Sequence, residues 1–120
     1  MSQILVADDQ LVMRNMFKAI LSQTDHQATY AVDGEDAYQK ATKTRYDLVI
    51  TDLYMPQLTG IELTQKLRKL SSYKGVPILV VSTENAQDRK MEGKQAGASG
   101  WIVKPISSSK LLPALKKLLN

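Results

Sequence analysis

The sequence predicts an α/β protein, a doubly wound sheet of five parallel strands with five helices on its two faces. Short apolar runs alternate with longer stretches of helical period, as is typical of βαβ units. Three of the five runs lack polar alternation, which indicates strands buried on both faces. No repeat, low-complexity tract or linker interrupts the 120 residues, so one domain over residues 1–120 is expected.

The predicted strands are short and evenly spaced. The first, third and fourth are the apolar ones and are expected at the centre of the sheet. Right-handed crossovers between parallel strands place helices on both faces, and ligands in such sheets sit beyond the carboxyl ends of the strands. The strands are predicted at Gln3–Ala7, Gln27–Ala31, Leu48–Thr51, Pro77–Val81 and Gly100–Val103.

Between the strands, apolar residues recur at helical spacing and predict core-facing stripes. Thr59 and Glu62 form a capping box, Asn85 is a cap for the fourth helix, and Gly97 suits its C-terminal stop. Pro113 removes a backbone hydrogen bond inside the last helix, so that helix either starts late, capped by Ser109, or kinks. The stripes are Met13, Met16, Phe17 and Ile20; Leu63, Leu67 and Leu70; and Leu111, Leu115 and Leu118.

The amino-acid composition excludes several kinds of functional site. The chain has no cysteine, which excludes disulfides, thiolate nucleophiles and sulfur-ligated metals. No apolar stretch approaches the roughly 20 residues that span a membrane, and the N-terminus lacks a charged signal-peptide start, so a cytoplasmic location is expected. The net charge of +4 is typical of solvated helix faces and predicts neither a nucleic-acid nor a membrane partner.

Three carboxylates follow neighbouring strands. Asp8 and Asp9 end the first strand and Asp52 ends the third, so they are expected to meet at one edge of the sheet. Alone, Asp8 and Asp9 could cap a helix and Asp52 could stabilise a turn. Together they require a cation, because two carboxylates about 4 Å apart repel by roughly 4 kcal/mol at an effective dielectric constant near 20. Oxygen ligands favour Mg²⁺.

Two further strand ends add polar groups. Ser82 and Thr83 follow the fourth strand and Lys104 follows the fifth, and a cis bond before Pro105 would aim the lysine inward. A hydroxyl and a fixed cation suit a phosphoryl group on Asp52, although Lys104 could equally be a counter-ion for the acidic cluster. His26, the only histidine, is interpreted as a turn residue.

These residues, in this order, resemble the receiver domains of two-component response regulators, and within that family the single-domain chemotaxis regulators. The similarity covers essentially the whole chain and implies the flavodoxin-like strand order 2-1-3-4-5. It is carried by Asp8-Asp9, the run Asp52-Leu53-Tyr54-Met55-Pro56 with Gly60, Ser82, the segment Gln95-Ala96-Gly97-Ala98-Ser99-Gly100, and Lys104-Pro105.

The resemblance implies that Asp52 takes a phosphoryl group from the phosphohistidine of a CheA-like histidine kinase. Asp9 and the Tyr54 main-chain carbonyl would join Asp52 on Mg²⁺, with Asp8 acting through metal-bound water. Lys104 would hold one phosphoryl oxygen. These roles describe a phosphoacceptor that catalyses only its own phosphorylation and dephosphorylation.

The resemblance also implies a switch, in which Ser82 moves to bond the phosphoryl group and Trp101 is the responding aromatic residue. Thr83 replaces Ser82 if the loop differs in length. Tyr54 and Thr83 are both larger than the residues many relatives carry there, so water access to the phosphoryl group is expected to differ.

Other functions fit the residues less well. A phosphatase with an aspartyl nucleophile needs a second acid where Tyr54 stands, and a flavin carrier needs a phosphate-binding loop where Asp8 and Asp9 would repel phosphate. Two outputs stay open: a monomer that binds a motility target such as the flagellar motor switch, or a relay passing phosphate to a second histidine protein. The fifth strand and the last two helices, with Arg89, Lys90, Lys94, Lys110, Lys116 and Lys117, are the expected docking face for an acidic or amphipathic peptide.

Overall fold

Five parallel strands form a single sheet in the computed structural model, which describes residues 2–83 and 87–119, with the backbone alone at 87 and 88. The order across the sheet is β2-β1-β3-β4-β5, and all neighbouring pairs are parallel, as predicted. The strands are β1 (Gln3–Ala7), β2 (Gln27–Ala31), β3 (Leu48–Asp52), β4 (Ile78–Ser82) and β5 (Gly100–Val103).

The helices cover both faces of this sheet. One core cluster joins α1 and α5 to one face, and two further clusters join α2, α3 and α4 to the other. Within the described ranges, no helix has the length and apolarity needed to cross a bilayer. The helices are α1 (Leu11–Leu21), α2 (Gly34–Lys43), α3 (Gly60–Arg68), α4 (Gln87–Ala96) and α5 (Ser108–Leu119), and a short 3₁₀ helix spans Ser71–Tyr73.

Burial follows the predicted layering. β3 and β4 are buried at every residue, and β1 at every residue after Gln3, whereas β2 and β5 are the partly exposed edge strands. The register pairs Ala7 of β1 with Thr51 of β3, so the carboxyl ends of these central strands lie side by side. Residues that follow them therefore project from one edge of the sheet.

Two of the predicted helix ends are confirmed. Thr59 and Glu62 form the capping box of α3, each side chain accepting the other residue's backbone N–H. Gly97 ends α4 with φ of 110°, a left-handed conformation that favours glycine. The predicted cap Asn85 lies outside the described residues.

Two helix predictions were wrong in part. Met16 is 37% exposed, because the buried stripe of α1 runs instead through Met13, Phe17, Ile20 and Leu21. The last helix does not start late, since α5 begins at Ser108 and contains Pro113. The other predicted stripes are core faces: Leu63, Leu67, Leu111 and Leu115 are buried, and Leu70 and Leu118 pack partly buried against them.

Candidate functional site

The carboxyl edge of the sheet gathers the three predicted carboxylates. Asp8 is fully buried just beyond β1, Asp52 is 8% exposed at the end of β3, and Asp9 is exposed. One oxygen from each lies within 4.8 Å of the others. The convergence expected from the strand order is therefore present, and it brings the mutual repulsion that a cation would relieve.

Asp8 has one satisfied oxygen and one that lacks a hydrogen bond. Its Oδ1 accepts the backbone N–H of Gln10 at 2.9 Å, so part of the capping interpretation holds. Its buried Oδ2 has no hydrogen-bond partner, and Lys104 Nζ lies 3.8 Å away. The Asp8 main-chain carbonyl accepts a 2.8 Å hydrogen bond from Arg14, a contact for which the sequence carries no signal.

Asp52 is held by Lys104. The Nζ atom of Lys104 lies 3.1 Å from Asp52 Oδ1, which also accepts the backbone N–H of Leu53 at 3.0 Å. The Lys104 backbone N–H donates to the Ser82 carbonyl, which ties this lysine to the end of β4. The Lys104-Pro105 bond is cis, as predicted. Lys104 thus lies where a counter-ion of the cluster is expected, beside two of its carboxylates.

Burial makes the charged state of the site costly. Removal from water raises the pKa of the Asp8 carboxyl, and the Gln10 N–H opposes this only in part. Burial also raises the pKa of Asp52, although the hydrogen bond and charge of Lys104 favour its ionised form. When Asp8 and Asp52 are both ionised, the single positive charge of Lys104 therefore does not balance their two negative charges.

The loop between β3 and α3 comes very close to Asp52. A Cβ atom at Gly60 would lie 2.3 Å from the Asp52 carbonyl oxygen, so no larger residue fits without a backbone shift. The Gly60 N–H donates to the Leu53 carbonyl at 2.7 Å and closes the loop. Within it, Gln57 adopts a φ of 77°, which its residue type did not predict.

The remaining predicted residues surround this centre. Ser82 is buried as the last residue of β4, one position after the partner of Asp52 in the sheet, whereas Thr83 is exposed. The Tyr54 side chain is 48% exposed, and the Arg89 guanidinium lies 6.0 Å from its ring centre. Trp101 is half-buried on β5.

His26 lies away from the site. It precedes β2 at the amino end of the sheet, and its Nδ1 accepts the Ser2 backbone N–H at 3.1 Å. Its interpretation as a turn residue is consistent with this position.

The residues at the carboxyl edge fit a divalent metal ion. The buried Oδ2 of Asp8 lacks a hydrogen bond, and it lies in a cluster that supplies only carboxylate oxygens. Hard oxygen donors are the ligands that Mg²⁺ prefers. Asp8, Asp9 and Asp52 are the side chains that would hold it.

Comparison with known proteins gives consistent matches over the whole fold. CheY4 of Vibrio cholerae, described as a chemotaxis response regulator, has a TM-score of 0.94 and 39% identity, with 99% of both chains covered. The receiver domain of the sensor histidine kinase PA1611 from Pseudomonas aeruginosa, with a magnesium ion coordinated in its active site cleft, has a TM-score of 0.91 and 26% identity, covering 98% of this chain and 97% of that one.

Among curated proteins, the transcriptional regulatory protein SrrA of Staphylococcus aureus is 30% identical over 119 residues, which is 99% of this chain and 48% of SrrA. The chain thus spans about half the length of the curated relatives it matches. The model of the response regulator receiver domain matches residues 4–116. With the strand order and the carboxyl-edge site already described, this match shows that the chain belongs to the response regulator receiver domain family of two-component systems.

Proposed function

We propose that the chain is a phosphoacceptor switch in which Asp52 accepts a phosphoryl group from a histidine kinase. The observation that carries the proposal is the pairing of a nearly buried Asp52 with Lys104 at 3.1 Å, beside two further carboxylates. A carboxylate placed this way can act as a nucleophile, and the lysine can hold a phosphoryl oxygen.

The transfer forms one bond and breaks one. Asp52 Oδ1 accepts the Leu53 N–H and contacts Lys104 Nζ, so we assign the attack on phosphorus to Oδ2. The phosphorus–nitrogen bond of the donor phosphohistidine breaks, and its electron pair returns to the imidazole. Hydrolysis of the resulting acyl phosphate by water restores the carboxylate.

Mg²⁺ is the proposed cofactor, held by Asp8, Asp9, Asp52 and the Tyr54 main-chain carbonyl. When bound, it supplies positive charge that offsets the phosphoryl oxygens. The magnesium ion in the related PA1611 receiver domain supports this assignment. Asp9→Ala should weaken Mg²⁺ binding measured by calorimetry while leaving the fold intact, and equal affinity in that variant would remove Asp9 from the ligand set.

The test of the phosphoacceptor uses a small donor. Incubation with acetyl phosphate and Mg²⁺ should add one hydroxylamine-labile phosphoryl group, seen by intact mass. Asp52→Asn should prevent the addition, and the exposed Asp25→Asn serves as the matched control. Labelling of Asp52→Asn at another residue would contradict the assignment.

An apolar rim beside the site is the proposed contact for the donor. Leu11 and Val12, at the start of α1, are 62% and 70% exposed, and Val32 after β2 is 50% exposed. Leu11 and Val12 follow β1, whose carboxyl end forms part of the site, and Val32 follows β2, the neighbour of β1 in the sheet. A donor protein that brings its phosphohistidine to Asp52 over this side of the site would match the rim with an apolar surface of its own.

Substitutions in the rim distinguish an effect on binding of the donor protein from an effect on phosphoryl transfer itself. Leu11→Ser with Val12→Ser should slow phosphotransfer from a phosphorylated CheA-like kinase but leave the rate with acetyl phosphate unchanged. A loss with both donors would show that the rim acts on the site itself and not on the donor protein.

For the output, we propose a motility target bound at α4, β5 and α5. The similarity to CheY4 over 99% of both chains supports a chemotaxis role. A cavity of about 220 Å³ between α4 and β5, with Lys90 and Lys94 in its wall, offers positive charge to an acidic amphipathic helix of the flagellar motor switch. Its lining is Lys90, Lys94, Ala98, Ser99, Gly100 and Trp101.

Two binding assays distinguish this output from a phosphorelay. An acidic peptide from a motor switch protein should bind more tightly after phosphorylation, and Lys90→Ala with Lys94→Ala should weaken it. A relay intermediate would instead lose its phosphoryl group rapidly to a histidine-containing phosphotransfer domain.

A further inference from the structure

The indole of Trp101 packs against the backbone of α4 at Gly93. A Cβ atom at Gly93 would lie 2.9 Å from Cζ3 and 3.2 Å from Cε3 of the indole. Gly93 is buried within α4, where glycine is among the least favourable residues for a helix. The contact with Trp101 gives a physical reason for a glycine at this position.

The turn that joins α4 to β5 leaves little room for the backbone to yield. The Ala98 N–H donates to the Gly93 carbonyl at 2.9 Å, and the Gly97 N–H donates to the Lys94 carbonyl at 3.0 Å, a Schellman pair of bonds. From α3, the Arg68 guanidinium donates to the Gly97 carbonyl through Nε at 3.0 Å and Nη2 at 2.8 Å. A side chain at residue 93 is therefore accommodated most readily by movement of the indole.

Trp101 is shared by the walls of two cavities. It lines the cavity of about 220 Å³ beside Lys90 and Lys94, and also a cavity of about 160 Å³ between β5 and α5 that Lys117 lines. A change in the position of the ring would therefore change the shape of both cavities on this face.

We infer that Gly93 is a positioning residue. The side-chain-free backbone of α4 at Gly93 is the surface on which the Trp101 indole packs, here called the seat, and it sets the orientation of the indole in the unphosphorylated protein. The inference deepens the proposed function and rests on it where Trp101 is taken as the residue that responds to phosphorylation. The seat itself requires no phosphoryl group, so it can be tested separately.

A cycle of four variants tests the contact in urea unfolding: wild type, Gly93→Ala, Trp101→Phe and the double variant. Gly93→Ala should lower the unfolding midpoint when Trp101 is present. In the Trp101→Phe background the same substitution should raise the midpoint, because the benzo atoms in contact are gone and alanine favours the helix. Gly75→Ala is the matched control, since its Cβ would meet no atom within 4 Å.

Fluorescence of the unphosphorylated protein gives a readout that helix stability alone would not change. Gly93→Ala should shift the Trp101 emission to the red and increase its quenching by iodide, whereas Gly75→Ala should leave both unchanged. The inference would be wrong if Gly93→Ala moved the urea unfolding midpoint in the same direction with Trp101 and with Phe at position 101. It would also be wrong if Gly93→Ala left the Trp101 emission unchanged. If the cycle reverses sign as expected but acetyl phosphate leaves Trp101 emission unchanged, the seat stands and the proposed switch fails.

Discussion

Lys104 lies 3.1 Å from Asp52 and 3.8 Å from Asp8, so one ammonium group serves two buried carboxylates that come from different strands. The lysine side chain is only 14% exposed. An ion pair this far removed from water is costly to break on one side, because the remaining charges stay buried.

Removal of Lys104 should therefore destabilise the metal-free protein. Lys104→Met is expected to lower the free energy of unfolding by about 1.5 to 3 kcal/mol at neutral pH, the usual range for a hydrogen bond to a charged group. Urea unfolding measures the loss, with the exposed Lys43→Met as the control. Equal stability of the two variants would mean that the carboxylates do not depend on Lys104.

Removal of the Asp8 charge should have the opposite effect. Burial raises the pKa of Asp8, so this group stabilises the fold while protonated, and the contribution is lost as the pH rises through its folded-state pKa. Asp8→Asn should raise the free energy of unfolding at pH 7.5 without Mg²⁺ by about 1 to 3 kcal/mol. The amide keeps an oxygen for the Gln10 N–H but removes one of the mutually repelling carboxylates, two of which repel by roughly 4 kcal/mol at about 4 Å.

The gain from Asp8→Asn should shrink as the pH falls, because the wild-type carboxyl becomes neutral as well. Thermal unfolding from pH 4 to pH 8 measures this trend. If the increase in the free energy of unfolding stayed constant from pH 4 to pH 8, the effect of Asp8→Asn would come from packing and not from charge.

The Tyr73 hydroxyl is expected to contribute to stability in a part of the core remote from the site. It accepts the backbone N–H of Tyr46 at 3.2 Å and lies 2.9 Å from the Ala41 carbonyl and 3.0 Å from the Thr44 carbonyl. Tyr73→Phe should lower the free energy of unfolding by about 1 to 3 kcal/mol, since the buried backbone groups lose a partner. Tyr38→Phe is the control in urea unfolding, and a similar small effect from both would contradict the assignment.

The Ser82 hydroxyl is predicted to couple phosphorylation to Trp101. A hydrogen bond from Ser82 to the phosphoryl group, of about 1.5 to 3 kcal/mol, would change the ratio of two arrangements by roughly ten- to a hundredfold. Acetyl phosphate should therefore alter the iodide quenching of Trp101 in the wild type but not in Ser82→Ala, while Asp52 is still phosphorylated. Identical responses would exclude coupling through Ser82.

Much of the fold was predictable because buried parallel strands have a strong local pattern. β1, β2 and β5 have their predicted bounds, β3 runs one residue further, to Asp52, and β4 is shifted by one residue at both ends, to Ile78–Ser82. The error at Met16 arose because apolar spacing alone does not define how wide the buried stripe of a helix is.

The site was predictable to the extent that it depends on strand ends. Asp8, Asp52 and Lys104 follow strands, so the parallel topology alone brings them together. The seat of Trp101 on Gly93 was not predictable, because it depends on the distance between a helix and the edge strand of the sheet. A glycine inside a helix is only a weak sign of such close packing.

The strand order has a consequence for how the chain is made. Strands that join in chain order would add β3 beside β1, β4 beside β3 and β5 beside β4, so no strand has to insert between two that are already paired. A chain emerging from the ribosome can therefore build its sheet by additions at an open edge. Until β5 arrives, that edge is β4, which is apolar from Ile78 to Val81, and a nascent chain stalled before residue 100 would expose a surface prone to aggregation.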